Sequence, residues 1–387
     1  MERDQAIKFM LDLMKLMLQK DASDLFVTVG FPPAMKIDGK VTPVSKQALT
    51  PDNAKALTYA VMNDRQLKEF ESTKECNFAI APQNLGRFRC NAYVQQGHPG
   101  LVLRTINTEI PSVDELNLPR VLKDVVMAKR GLVIIVGGTG SGKSTSLAAM
   151  IDHRNRNSNG HIITIEDPIE FVHPHRGCIL MQREIGVDTD NWGIALKNSL
   201  RQAPDVILLG EIRDREGMEF GIQFSETGHL ALATLHANNA NQALDRIINF
   251  FPEERRQQLL LDLSVNLRAI ISQRLIKRKA QKGRIPAVEV LLNSPLISDL
   301  VEKGEVPEIK DVMKRSVELG MQTFDQALFE LYEADEITYE DALRNADSMN
   351  ELRLRIKLES QSQKGESTMK DLDHLRLEEN SDERRVR

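Results

Sequence analysis

The sequence predicts an α/β protein, on three observations. Short β-rich apolar runs at 131–136, 161–165, 206–209 and 229–235 alternate with helical patterns, the arrangement of a parallel sheet covered on both faces. The first third mixes one helical stripe and a helix start with a hairpin and several strand-length runs, which makes a small mixed sheet domain. The stretch after Arg255 reads as helical throughout. A chain of 387 residues leaves room for about two or three such domains.

Ile7, Met10, Leu11, Met14, Met17 and Leu18 recur at helical spacing and predict the first helix, with the methionines as core packing. Residues 24–29 read as a strand. Residues 34–37 and 41–44 flank Asp38-Gly39 and form a hairpin, because a tight I′ turn needs positive φ and Asp-Gly supplies it. Thr50-Pro51 is a cap followed by proline in the first turn and opens a helix to about Met62. Strands are expected at 76–80, 87–94 and 100–106, and Pro111 and Pro119 mark 107–119 as a linker. In the last part, helical pieces are expected at 259–278, 305–319 and 323–333, with Thr338 capping toward Asp341.

Composition excludes several classes. The chain is 41% hydrophobic and 28% charged, ordinary for a protein with a real core. A net charge of −5 and no basic, aromatic-laced stripe argue against a nucleic-acid partner. No apolar run approaches the ~20 residues that cross a bilayer. Cys76, Cys90 and Cys178 are three widely spaced thiols, which suit a reduced, cytosolic compartment and cannot build a four-thiolate zinc site. Residues 364–387 hold seven acidic and six basic side chains, and 361–387 is expected to be a solvated tail.

The most specific signal is Gly137-Gly138-Thr139-Gly140-Ser141-Gly142-Lys143-Ser144, which fits GxxxxGK[ST]. A buried strand leads in and a helix, 145–154, leads out. Glycines let backbone N–H groups converge on phosphate oxygens at a helix N-terminus whose dipole favours anions. Gly138, Thr139, Gly140, Ser141, Gly142 and Thr145 are therefore expected to line a nucleotide. Lys143 would reach its β and γ phosphates, and Ser144 would ligate Mg²⁺.

Hydrolysis also needs acids placed beside the phosphates. Glu166-Asp167-Pro168-Ile169-Glu170 follows one strand, and Glu211 follows another after Gly210, where a usual Walker B strand ends in Asp. Both clusters stand at strand C-termini, where parallel sheets bind ligands. The carboxylate that meets Mg²⁺ through water is then Glu211 or one of the first cluster. His229 and His236 flank the next strand, and either could sense a γ-phosphate. His173-Pro174-His175 has no third ligand nearby and reads as a loop.

Four boxes in order carry a family resemblance: GGTGSGKST at 137–145, TIEDPIEFVH at 164–173, VILLGEIRD at 206–214 and TGHLALATLHANNA at 227–240. They resemble the Walker A, Asp, atypical Walker B and His boxes of secretion ATPases of the type II/type IV pilus superfamily, specifically pilus retraction ATPases of the PilT/PilU type. GRFRCNAY at 86–93 and LRTI at 103–106 extend the likeness into the first domain.

The resemblance implies a homohexameric ring whose subunits join a PAS-like N-terminal domain, 1–106, through the linker 107–119 to a RecA-like ATPase domain, 120–360. It implies that Arg87, Arg89 and Arg104 complete a site for ATP and Mg²⁺. It also implies that Glu166 is the general base, Glu211 the Mg²⁺-linked acid and His229 the γ-phosphate contact. Read as residues alone, Arg87 and Arg89 alternate with Phe88 like the charged face of an edge strand.

Assembly ATPases of the superfamily carry an extra N-terminal domain and a tetracysteine site. This chain starts near its PAS-like region and has three scattered cysteines, so retraction is favoured. PilT-type motors carry an Ala-Ile-Arg-centred box where this chain reads Ser-Pro-Leu-Ile-Ser-Asp at 294–299. That departure and the charged extension point to the PilU type. The implied function is accessory to a PilT-type retraction ATPase in twitching motility, cytoplasmic and peripheral at the inner membrane through the pilus platform protein. The alternative is a nucleotide-binding adaptor docked on the PilT-type ring.

Overall fold

The computed structural model describes residues 1–106, 109–280 and 282–360, so the expected tail at 361–387 lies outside the described residues. Helix α1 (Arg3–Gln19) buries Met10, Met14 and Met17, as core packing requires of that stripe. It precedes β1 (Asp24–Val27), β2 (Ala34–Ile37) and β3 (Lys40–Pro43). Ile37 pairs with Lys40, and Asp38 and Gly39 take φ of 50° and 78°, giving the expected tight hairpin. Thr50 accepts from Asn53 N at the start of α2 (Pro51–Ala60).

Helix α3 (Asp64–Thr73) was not anticipated, although Asn63 and Gln66 form a full capping box at its start. Then come β4 (Glu75–Ile80), β5 (Phe88–Gln95) and β6 (His98–Thr105). The six strands lie in the order β3-β2-β1-β6-β5-β4, antiparallel throughout. Met14, Leu25, Met35, Leu57, Phe70 and Phe88 are among the side chains that fill the core beneath. Strand β5 is therefore interior, not an edge, because Phe88 is fully buried and both flanks are paired.

The second part begins with α4 (Val121–Val126) and β7 (Gly131–Val136), buried at every position. It continues with α5 (Lys143–Asn157), β8 (Gly160–Glu166), β9 (Cys178–Glu184), α6 (Trp192–Ser199), β10 (Val206–Leu209), α7 (Arg215–Glu226) and β11 (Leu230–Leu235). Strand β10 runs parallel to β8 and β11, and β9 runs parallel to β8. Continuous apolar strands beside crossover helices give this arrangement, as the alternation predicts.

After α8 (Ala240–Asn249) and α9 (Glu253–Asn266) the structure departs from the helical expectation. Residues 267–278 are not helix. Strands β12 (Leu267–Lys277) and β13 (Arg284–Leu292) form a long antiparallel pair. Ala269, Ile270, Ile271, Ser272 and Gln273 are all buried. A strand buried on both faces shows no alternation, so periodicity alone cannot separate it from a buried helix. The sheet order is β13-β12-β7-β11-β10-β8-β9.

Helices α10 (Pro295–Lys303), α11 (Ile309–Arg315), α12 (Phe324–Glu333), α13 (Tyr339–Asn345) and α14 (Met349–Glu359) complete the described chain. Thr338 caps α13 by accepting from Asp341 N at 3.1 Å, as expected. Packing gathers the chain into two compact units. Among the described residues, one contains those of Met1–Glu115, Leu122–Val133 and Ser144–Thr234; the other contains Leu116–Val121, Ile134–Lys143 and those from Leu235 to Ser360.

Candidate active site

The phosphate-loop motif occupies the turn between β7 and α5, strand before and helix after. Lys143 Nζ donates to the carbonyls of Gly137 and Gly138, at 2.8 Å and 3.0 Å. Its charge is thus held over the loop that a phosphate would occupy. Gly142 has φ of 88°, and a Cβ there would meet Gln273 Nε2 at 2.7 Å. Gln273 itself donates to Ser141 O at 2.9 Å and fixes the loop from β12. Ser141 Oγ is buried without a protein partner. Such an atom inside a loop rich in backbone N–H groups fits a phosphate-bearing ligand. Ser144 and Thr145 follow in the first turn of α5, and a hydroxyl there is the hard oxygen that Mg²⁺ prefers.

Glu166 is the last residue of β8. One oxygen accepts from Thr164 Oγ1 at 2.6 Å and from Gln182 Nε2 at 3.1 Å. Gln182 is aimed by the loop it serves: its amide also donates to Phe171 O and accepts from His173 N, each at 2.8 Å. Burial holds the Glu166 carboxyl above its usual pKa, against the two hydrogen bonds that lower it. A carboxylate so poised is a better proton acceptor than an exposed one.

Sequence reasoning missed Thr164 and Gln182. Thr164 was readable, since residues two apart on a strand share a face. Gln182 was not, because nothing in the pattern says that β9 lies beside β8.

Glu211 stands two residues past β10. Its carboxylate accepts from Arg213 Nε at 2.8 Å, and Arg213 Nη1 lies 3.5 Å from Asp167 Oδ2. Arg213, unremarked in the sequence, thereby ties the two acidic clusters together. The glycine before Glu211 has a steric cause: a Cβ at Gly210 would stand 2.9 Å from Ile165 O and 3.1 Å from Glu166 Cα. Gly210→Ala should therefore push β8 from β10 and tilt Glu166. Hydrolysis by this variant is expected to fall by about tenfold or more while nucleotide affinity changes little. Comparing turnover with analogue binding checks this, and equal losses in both would assign Gly210 to folding alone.

Arg87 Nη2 reaches Glu184 Oε2 at 3.4 Å and Asp188 Oδ2 at 3.9 Å. The same Glu184 oxygen accepts from Ile169 N at 3.3 Å, in the loop after Glu166. Arg89 pairs directly across from Arg104, which also faces Asp24 and bonds its carboxylate at 2.8 Å.

His229 is not with the acids. It precedes β11, with Nδ1 3.0 Å from Thr227 Oγ1 and 3.1 Å from Phe224 O. Glu211 and His236 follow the C-terminal ends of β10 and β11. Six strand residues separate the two histidines, roughly 20 Å at the usual rise. His236 instead lines a cavity of about 560 Å³ with Gly137, Gly138, Ala237, Asn238 and Arg246. His236, not His229, thus stands at the end of β11 that meets the phosphate loop, because the strand ends at Leu235, one residue before it.

The His173-Pro174-His175 pair serves its loop. Burial lowers the His173 pKa to about 4, which leaves the ring neutral, and His175 Nδ1 accepts from Leu180 N at 3.1 Å. No group of three or more His, Cys, Asp or Glu among the described residues is arranged to hold a metal ion. No described helix is long and apolar enough to cross a membrane.

Comparison with known proteins bears on this geometry. The family model "Type II/IV secretion system protein" matches residues 2–294. The chain is 58% identical over 363 residues to the type IV pilus ATPase PilU of Pseudomonas aeruginosa, covering 94% of this chain and 93% of that protein. It is 40% identical over 335 residues to the type IV pilus retraction ATPase PilT of the same organism, covering 87% and 97%. Among solved structures it resembles the pilus retraction motor PilT with bound ADP, at TM-score 0.83 and 38% identity over 89% of this chain and 98% of the other. These likenesses carry the α/β fold with a PAS-like N-terminal domain and a RecA-like ATPase domain.

Proposed function

The chain belongs to the type II/IV secretion system protein family, and from that premise we propose that it is a Mg-ATP-driven motor of type IV pilus retraction. Its catalytic class is ATPase, and its relatives are pilus and secretion ATPases. In this reading six copies form a ring that works beside a PilT-type ATPase at the inner-membrane platform protein. The domains are 1–106 and 120–360, with 107–119 as hinge and 361–387 as an appended charged tail.

The observation that carries the reading is Glu166, pinned by Thr164 and Gln182 at the end of a strand and raised in pKa by burial. Such a group takes the proton of a water attacking the γ-phosphorus as the bond to the leaving ADP oxygen breaks. Lys143 and the loop 138–145 cradle the phosphates, and His236 contacts the γ-phosphate. Ser144 would hold Mg²⁺ directly and Glu211 through water, and the ion would supply charge to offset the phosphates. Arg87, Arg89 and Arg104 would supply bidentate forks for phosphate.

The test is phosphate release per subunit by the purified chain across a dilution series. A rate that climbs with concentration and levels off is expected, since sites in a ring are completed by assembly. A second reading, a nucleotide-binding adaptor on a PilT-type ring, draws support from residues 294–299. There Ser294 caps α10, Pro295 opens it, and Leu296 is 54% exposed. A rate at the blank level at every concentration would put that reading first.

A further inference from the structure

Behind the loop that carries His236 lies a buried charge cluster to which the roles above give no part. Asp347, in the connector between α13 and α14, is its centre, with its side chain 8% exposed. One oxygen accepts from Arg274 Nη2 at 2.6 Å. The other accepts from Lys310 Nζ at 2.6 Å and from Asn239 Nδ2 at 3.1 Å. The connector is itself pinned, because the N–H groups of Asp347 and Ser348 donate to the Asp325 carboxylate at 2.8 Å and 3.2 Å. Arg274, on β12, is fixed on its other sides. Its guanidinium lies 3.9 Å from the centre of the Phe324 ring, and it donates to the carbonyls of Asn345 and Asn238.

The loop after β11 is the beneficiary. Asn238 O receives Arg274, Asn239 Nδ2 meets Asp347, and Ala240 N donates to the buried Glu289 at 2.7 Å. Capping α8 does not need this machinery, since Asn239 Oδ1 already accepts from Gln242 N at 2.9 Å. Burying the Asp347 carboxylate beside two part-buried cations is costly unless each is satisfied, and replacing such a cluster with apolar packing is often neutral or better for stability. Rigid support around a reacting group is the use that repays it. Asn238 and His236 face the same cavity as Gly137 and Gly138.

We propose that Asp347 is a positioning residue for nucleotide turnover. Through Arg274 and Asn239 it holds the 236–239 loop so that His236 stays over the phosphate loop. The proposal rests on the motor reading above and on the assignment of His236 within it.

The experiment uses the full chain and compares wild type, Asp347→Asn, Asn239→Ser, His236→Ala and the double variant His236→Ala/Asn239→Ser. Serine keeps the cap of α8 while removing the donor to Asp347, so Asn239→Ser guards against a variant that merely unfolds. For each, kcat and KM for ATP, affinity for a non-hydrolysable ATP analogue and Tm are measured. Asp347→Asn and Asn239→Ser are expected to lower kcat by about 10–100-fold with analogue affinity nearly unchanged. Asn239→Ser should keep the wild-type Tm. In the double variant the losses should fail to multiply, because both act through one side chain. Wild-type kcat in Asn239→Ser, or losses that multiply with His236→Ala, overturns the proposal alone. Absence of turnover by wild type at every concentration overturns the motor reading and this proposal with it.

Discussion

Lys143→Ala is expected to abolish ATP hydrolysis while leaving a folded protein. The ammonium is bonded to Gly137 O and Gly138 O, so it sits where the loop's carbonyls and an incoming phosphate compete for it. A positive charge preorganised toward a developing negative one is worth more than the same charge free in solution. Removing one such preorganised donor typically costs ~10²–10³ in rate, and losing a full charge should cost at least that. The side chain belongs to the first turn of α5 and is only partly buried, so Tm should move by a few degrees at most. Phosphate release and thermal unfolding measured on the same preparation check this. Sustained turnover in a folded variant would remove the site from this loop.

Glu166→Gln is expected to separate binding from chemistry. Glutamine still accepts from Thr164 and Gln182, so the end of β8 keeps its shape, but the proton acceptor is gone. Turnover should fall by ~10²–10⁴ with analogue affinity preserved.

The pH profile gives an independent signature. Burial raises the Glu166 pKa, and the residue works as a base only when ionised. Wild-type activity should therefore be lost as pH falls through a value above the ordinary carboxylate range. That acid limb should vanish in the residual activity of Glu166→Gln. Should binding and turnover fall together, Glu166 is structural.

These expectations were legible to different depths in the sequence. The loop 137–144, Glu166 and Glu211 declare themselves because phosphate chemistry demands fixed residue types at fixed spacing. The hairpin at Asp38-Gly39 and the cap at Thr338 are equally local. Thr164 shares a face of β8 with Glu166 and could have been read, while the bond from Gln182 on β9 and the reach of Arg213 to Asp167 depend on pairings that no window of sequence reveals. That His229 and His236 stand at opposite ends of β11 depends on where the strand stops, which the sequence leaves open by one residue. Strands β12 and β13 were hidden by their own burial, since a strand covered on both faces has no polar side to announce it.

The row Asp24–Arg104–Arg89 across β1, β6 and β5 has a consequence for how the first domain answers a ligand. Strand register sets two guanidinium-bearing residues opposite each other on one face, and only Arg104 is bonded to the carboxylate of Asp24. Like charges so placed weaken pairing by ~0.2–1 kcal/mol. An anion seated between the two guanidinium groups would offset that repulsion. Because β5 and β6 are interior strands paired with each other, one register fixes both residues at once.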